Sequence, residues 1–391
     1  FFFTLLFSVC LHLIEFYSCL FFTKMSQADF KQTLRKLDFP ACAKEALPRI
    51  ESIVVSRSKQ NFAIQLISEF VFMERPKDPV DIRKGQTFTG TQLNSFQEFQ
   101  LIIVLIEYFS QPGPDATRNV VFLSLFGSNL TSQRSKIMCR LVSTAVSGSV
   151  APLLSSAGTW MQQVGCMNPP SLEVAQSLVS DFITFSRKTS EQFKQLPMVA
   201  PHFAANLMTT VADLYMKEQN GVLTPPPDAL LDVFTEWISE NHDLCLVSQQ
   251  PLALPSGAIA MPVVTPLAGL IRWAVLSPMF SNRPSYSNLH LWLLQTMLQI
   301  DNSGPPTALN AQHVAQNVGP LQTYVARLVA DKIEPTKDAA YQKSVERLAQ
   351  AVQLAISVKC MYGNITQLLC LLETLPPHPL MTMVIKANRK N

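Results

Sequence analysis

Six histidines, eight cysteines and a scatter of serines and carboxylates are the side chains with which this chain could do chemistry. Their spacing supports none of the usual arrangements. His12, His202, His242, His290, His313 and His378 lie far apart and form no HExxH pair, whereas a metal centre needs several such ligands converging. Cys10, Cys19, Cys42, Cys139, Cys166, Cys245, Cys360 and Cys370 include no CxxC. Most sit in apolar runs such as IMCRLV and DLCLV, which reads as buried free thiols in a reducing compartment. Ser56 and Lys59 spell SxxK without the companion motifs of that chemistry, so they read as a solvated helix end. His242-Asp243 and Lys77-Asp78 read as polar turn pairs. GxSxG, the P-loop and GxGxxG are also missing. No catalytic residue, metal ligand or cofactor is therefore nominated, and a non-catalytic protein is expected.

One segment carries a different kind of chemistry. In Thr265-Pro-Leu-Ala-Gly-Leu-Ile-Arg-Trp273, Thr265 is placed to cap a helix and Pro266 to start it. Leu267, Leu270, Ile271 and Ala274 make an apolar stripe, and Gly269 allows another helix to come close. Arg272 and Trp273 point toward a different face. They read either as part of a well-buried central helix or as a candidate interface, since Trp and Arg dominate binding hot spots.

The elements that must position these residues are nearly all helical. Asn94-Ser-Phe-Gln97 spells a capping box, followed by Phe96, Phe99, Ile103, Ile106 and Tyr108 at helical spacing. Further helices are expected near 115–126, 132–147, from Ser171, 201–217, 227–239, 266–276, 287–300, 337–359 and 365–375. Gly127 and Gly148 sit where C-cap residues belong. Ile53-Val54-Val55 is the one β-branched run with any claim to a strand. Short loops between successive helices predict antiparallel hairpins. The expected fold is all-α, an irregular helical-hairpin array of the HEAT or armadillo α-solenoid kind, with a compact multi-helix bundle as the alternative. Longer breaks at 74–90 and 249–264 are possible sub-boundaries within a helical scaffold spanning 25–380, and 381–391 reads as a short polar tail.

Bulk properties narrow the class. Only 15% of residues are charged against 48% hydrophobic, a low charge for a freely soluble surface, which reads as an obligate subunit covered by a permanent partner or, alternatively, as a monomer with a polar, uncharged surface. The net charge of +3 is scattered without a basic stripe, so no direct nucleic-acid contact is expected. The first methionine is Met25, and the apolar stretch before it carries Glu15 and His12 mid-segment and no basic leading region. Residues 1–24 are expected to be upstream sequence translated in frame, with a membrane anchor or signal as the alternative. In the alternative case, Asn129-Leu-Thr131 and Asn364-Ile-Thr366 would be glycan acceptors.

TPLAGLIRWAVLSP (265–278) resembles a block of the Integrator complex subunit 15 family. LISEFVFMERPKDP (66–79), LNSFQEFQLIIVLIEYF (93–109), RNVVFLSLFG (118–127), LVSTAVSGSVAPLLSSAGTWMQQ (141–163), YSNLHLWLLQTMLQ (286–299) and VERLAQAVQLAISVK (345–359) resemble further blocks in the same order. The likeness runs from about Met25 to about Leu380. Two departures stand out: only Ser277–Ser285 lies where the family carries a lysine-rich insertion, and the sequence runs to Asn391 where the family continues into a Pro/His-rich tail. The resemblance implies a nuclear, non-catalytic scaffold subunit of Integrator. It would act in RNA polymerase II attenuation or termination and in small nuclear RNA 3′-end processing. It also implies contact with the peripheral arm, subunits ten, thirteen and fourteen, and neither membrane nor cofactor. An unrelated α-solenoid adaptor of the cytosol or a membrane surface is the competing reading.

Overall fold

The chain divides at Gln111-Pro-Gly-Pro, where prolines without an N–H stop a helix. The computed structural model describes residues 26–74, 93–128, 130–184, 187–219, 222–246, 265–300 and 308–389. Two compact units result, one up to Gln111 and one from Pro112 onward, and the possible sub-boundaries expected from the sequence are 74–90 and 249–264. Those two segments lie almost wholly outside the described residues, as do residues 1–24.

In the first unit, α1 (Gln27–Leu34) is capped by Ser26, whose hydroxyl accepts from the Asp29 N–H. It is followed by α2 (Ala41–Ser56), α3 (Gln60–Leu66, continuing as a π-turn over Ile67–Val71) and α4 (Ser95–Ser110). Ile53-Val54-Val55 lies inside α2, where burial of Ile50 and Ile53 outweighs a weak β propensity. Both halves of the expected capping box form: Gln97 N–H donates to Asn94 Oδ1 at 2.9 Å, and Asn94 N–H to Gln97 Oε1 at 3.1 Å. The apolar face of α4 differs from expectation. Leu101, Ile102, Val104, Leu105 and Phe109 are buried, while Phe96 and Phe99 remain 68% and 59% exposed. This helix is apolar on two faces, so its neighbour α2 decides which one enters the core.

The second unit packs helices mostly against elements two positions along. It begins with α5 (Asp115–Leu125), α6 (Ser132–Ser147), α7 (Ala151–Val164) and α8 (Pro169–Thr184). α5 lies on α7, and α6 on α8. Then come α9 (Arg187–Lys194), α10 (Leu196–Val199) and α11 (Pro201–Leu214). α12 (Asp228–Glu240), α13 (Pro266–Leu276) and α14 (Pro284–Leu298) follow. α15 (Ala311–Ala315), α16 (Val318–Ala330), α17 (Ala339–Ser357), α18 (Ile365–Leu372) and α19 (Pro379–Asn388) complete it. The strands are two-residue pieces. β1 (Glu218–Gln219) pairs antiparallel with β2 (Val222–Leu223), and β3 (Leu309–Asn310) pairs parallel with β4 (Met361–Tyr362). The all-α class is thus observed.

α11 is the centre of this unit. Every residue from Phe203 to Asp213 is buried, because α7, α8, α10 and α13 enclose the helix. Glycines let its neighbours come close. A Cβ on Gly158 of α7 would lie 3.0 Å from the Phe203 backbone, and one on Gly269 of α13 only 2.5 Å from Ala212 Cβ. An aromatic ladder crosses the same core. Phe182 stacks on Phe193, Phe193 on Trp237, Trp237 on Phe234 and Phe234 on Trp273, with centroids 4.7 to 5.9 Å apart. Trp160 is buried too, with Nε1 donating to Phe126 O.

The ends of elements depart from expectation in instructive ways. α6 does end at Gly148, as expected, but the left-handed turn falls on the next residue, Ser149, at φ 51°. Ser171 is not a cap: its hydroxyl donates to Gly165 O from inside the first turn of α8. The short Ser277–Ser285 link is held down, with Arg283 ion-paired to Asp228 and Asp232 and the Ser285 hydroxyl donating to Asp232. Residues 381–388, expected in a polar tail, form most of α19, which buries Met381, Val384 and Ile385 against α17. Only Thr382, Lys386 and Asn388 of that helix are polar, and its apolar residues supply the face that is buried.

Candidate functional site

α13 positions both nominated residues. Pro266 occupies its first turn, as its missing N–H allows. Thr265 does not cap: its hydroxyl donates to Ala308 O at 2.6 Å and ties the helix start to the strand region before α15. Apart from Gly269, every residue of α13 is buried, because α11, α14, α15 and α17 all pack on it.

Trp273 has 0% exposure. Its ring lies parallel to Phe234 and edge-on to Tyr215, and its Nε1–H donates to Ala212 O at 3.2 Å. In the isolated chain this residue presents no surface.

Arg272 is 6% exposed and is held loosely for a buried cation. Nη2 donates to Ala212 O at 2.9 Å and lies 3.7 Å from Asp213 Oδ1, while Nη1 reaches Gln316 Oε1 at 3.3 Å. Nε is buried with no hydrogen-bond partner among the described residues. Asp213 is itself buried and takes a second cation, Lys217, one helical turn on. Burial pushes the Arg272 guanidinium below its ordinary value, and Asp213 opposes that shift. His313 lines the same place, and burial and then the Arg272 charge hold its imidazole below 6.5.

These groups surround a small cleft of about 20 Å³ between α11, α13 and α15, lined also by Ala268, Gly269 and Met167. That is room for a water or one small polar group. A carboxylate and a histidine therefore do meet at one cleft, which their separation of a hundred residues along the chain conceals. The cleft has no activated nucleophile. The hydroxyls of Thr209 and Thr265, which line it, are spent as donors to Ala205 O and Ala308 O. The arrangement can bind a charge; it has no space for a substrate to react.

A second, larger cavity of about 250 Å³ opens where α5, α7 and α11 begin, beside Asp115, Pro152, Val199 and His202. His202 Nδ1 is buried there without a partner among the described residues, and burial lowers the ring's pKa. Among the described residues no group of three or more His, Cys, Asp or Glu could hold a metal ion, and no helix is long and apolar enough to cross a membrane. Of the thiols, Cys42, Cys166, Cys245 and Cys360 are buried and Cys139 partly so, while Cys370 is exposed.

Reasoning from sequence missed Asp213, His313 and Gln316, and it also missed Arg347. The last is 5% exposed on α17 and donates to Ala274 O at 2.6 Å, Ser277 Oγ at 2.9 Å and Ser287 Oγ at 2.7 Å. It thereby fastens the C-terminal end of α13, where a cation is favoured, to the start of α14. The available signal for Asp213 was a lone carboxylate in an otherwise apolar helix, since such a residue needs a buried partner.

A family model described as Integrator complex subunit 15 matches residues 28–377. Over 357 residues the chain is 64% identical to Integrator complex subunit 15 of Drosophila melanogaster, spanning 91% of this chain and 95% of that protein. It is 27% identical over 409 residues to the Homo sapiens protein of the same name, spanning 92% and 86%.

Proposed function

The chain belongs to the Integrator complex subunit 15 family, and from that premise we propose that it is a non-catalytic scaffold subunit of the nuclear Integrator complex. It acts through protein–protein contacts in RNA polymerase II attenuation or termination and in small nuclear RNA 3′-end processing. The observation that carries this reading is the family match along nearly the whole chain, from residue 28 to 377. The physical chemistry is compatible: the helices bury a polar hub around Arg272, and only 15% of residues are charged. Its partners are other Integrator subunits, foremost the peripheral arm of subunits ten, thirteen and fourteen. No cofactor, membrane or direct nucleic-acid contact is part of the proposal.

The test is a tagged pull-down of residues 25–391 from nuclear extract of the source organism, read by mass spectrometry. Stoichiometric recovery of Integrator arm subunits is expected. A folded chain that recovers none of them would overturn the assignment. The low charge adds an expectation: residues 25–391 alone are poorly soluble, and co-expression with the partner restores them.

A further inference from the structure

We propose that the cavity where α5, α7 and α11 begin receives one aromatic side chain of a partner subunit. The proposal rests on the subunit reading above and adds to it where a partner engages and by which chemistry.

Size is the first reason. The cavity holds about 250 Å³. A cavity of about 150 Å³ accommodates a benzene ring, and pockets for cofactors and substrates start near 300 Å³. One aromatic side chain falls within this range. A leucine or valine would leave part of the space empty and forfeit dispersion contacts with the walls.

The lining sets the chemistry. Three helix starts converge here, and helix starts ordinarily attract an anion through their unpaired N–H groups. These starts are built on prolines instead. Pro152 occupies the first turn of α7 and Pro201 that of α11, and α5 follows Pro114. A proline ring offers apolar surface and no donor. Ala151 N–H is spent on Ser149 O at 2.9 Å, and Ala200 N–H on Leu196 O at 2.8 Å. Asp115, in the same lining, is paired with Arg118 at 2.8 Å. Burial lowers the His202 pKa from 6.5, so the imidazole is uncharged near pH 7. The lining thus suits an uncharged ring, which meets Pro152, Val199, Pro201 and Phe203.

The mouth presents apolar surface to solvent. Met198 directly precedes Val199 and is 84% exposed, more than any other large hydrophobic side chain among the described residues. A flexible thioether of this kind suits an adaptable binding surface. Interface hot spots are typically aromatic side chains seated in pockets, with apolar contacts around them that exclude water. One such pocket covers much less than the roughly 800 Å² that each side of a stable interface buries, so it is one anchor within a wider contact.

Two measurements test this. The first is saturation-transfer NMR on residues 25–391, which needs only dilute protein, with N-acetyltryptophanamide, N-acetylleucinamide and sodium benzoate as probes at equal concentration. The tryptophan amide should give the strongest transfer. Ser155→Phe, which fills the hollow from within the chain, should cut that transfer by about tenfold or more at an unchanged unfolding midpoint. Should this variant be destabilised, Met198→Glu serves, since so exposed a residue supports no core. The charge it sets at the mouth should cut the transfer by about threefold or more. Benzoate binding most strongly would mark an anion site, and transfer indifferent to both variants would place the probe elsewhere; either result overturns the proposal.

The second replaces Met198 with the photocrosslinker p-benzoyl-phenylalanine and illuminates the chain within the purified complex. Crosslinks should fall on a segment of another subunit that carries a Trp, Tyr or Phe, and replacing that residue by alanine should weaken association by about tenfold or more. A chain that co-purifies with Integrator subunits but crosslinks to none of them, or only to a second copy of itself, overturns the proposal. If no Integrator subunit co-purifies, the subunit reading has failed, and the probe measurement alone judges the chemistry of the cavity.

Discussion

Replacing Gly269 by alanine sets two effects of opposite sign against each other, and the structure decides between them. In an isolated helix the change is favourable by about 1 kcal/mol, because glycine loses more backbone entropy on folding. Here the new Cβ would meet Ala212 Cβ at 2.5 Å and the Ala212 backbone at 3.4 Å. The first distance is about 1.3 Å short of an ordinary carbon–carbon contact. Backbone cannot swing aside as a long side chain does, so α11 and α13 must separate. Overpacking of this kind costs roughly 1–3 kcal/mol. Separation also stretches the bonds from Arg272 Nη2 and Trp273 Nε1 to Ala212 O, now 2.9 and 3.2 Å, together worth about 2–4 kcal/mol if lost. With those bonds weakened by about half and the propensity gain of about 1 kcal/mol set against the sum, Gly269→Ala should cost about 2–4 kcal/mol.

Urea unfolding followed by tryptophan fluorescence is a suitable assay, because all four tryptophans lie in the second unit and report on it alone. Ala212→Gly removes the opposing Cβ. The double variant should therefore recover at least half of the loss, a coupling that independent sites do not show. Gly319→Ala in α16 is the control. Nothing lies within 4 Å of its added Cβ, so it should gain about 0.4–1 kcal/mol. A Gly269→Ala chain as stable as the parent, or a double variant whose losses simply add, would refute the reasoning.

Arg347→Ala should lose about 2 kcal/mol in the same assay, since it removes three hydrogen bonds donated by a charged group, one to Ala274 O, which still accepts from the Ser277 hydroxyl, and two to the Ser277 and Ser287 hydroxyls, and Arg347→Lys should recover only part. Burial lowers the pKa of His202, His290, His313 and His378 from the ordinary 6.5. The unfolded chain thus takes up protons first, so stability is full above pH 6.5 and falls as pH drops below it. The urea midpoint should be lower at pH 5.5 than at pH 7.5, and His290→Gln should shrink the difference; an equal or higher midpoint at pH 5.5 would contradict this. Burial pushes the thiols of Cys139 and Cys360 up to about 11 and those of Cys166 and Cys245 to about 12. A maleimide at pH 7 should therefore label Cys370 first in native residues 25–391, and mass spectrometry that found another of the described thiols modified sooner would count against that order.

Much of the local structure was legible before any coordinates. Asn94 and Gln97 encode their capping box through residue types alone, because both partners lie within one turn. Pro266 marks the start of α13, and Gly269 marks a close approach, for reasons of covalent geometry that need no knowledge of the neighbour. Legibility failed where a choice depended on what packs alongside. α4 offers two apolar faces, and only its contact with α2 selects Leu101, Leu105 and Phe109 over Phe96 and Phe99. Residues 381–388 look like a tail until α17 supplies a surface for Met381, Val384 and Ile385.

The amino-acid sequence by itself determined the class of element, most of the helix limits, the missing catalytic motifs and, through ordered blocks of likeness, the family. These are properties of near neighbours along the chain, or of many residues counted together. Only the tertiary structure decided that Trp273 is sealed in an aromatic ladder while Arg272, its neighbour, borders a cleft with Asp213, His313 and Gln316. Successive side chains on a helix point about 100° apart. One residue can therefore face a core and the next a cleft, and which is which depends on helices that arrive from far along the chain.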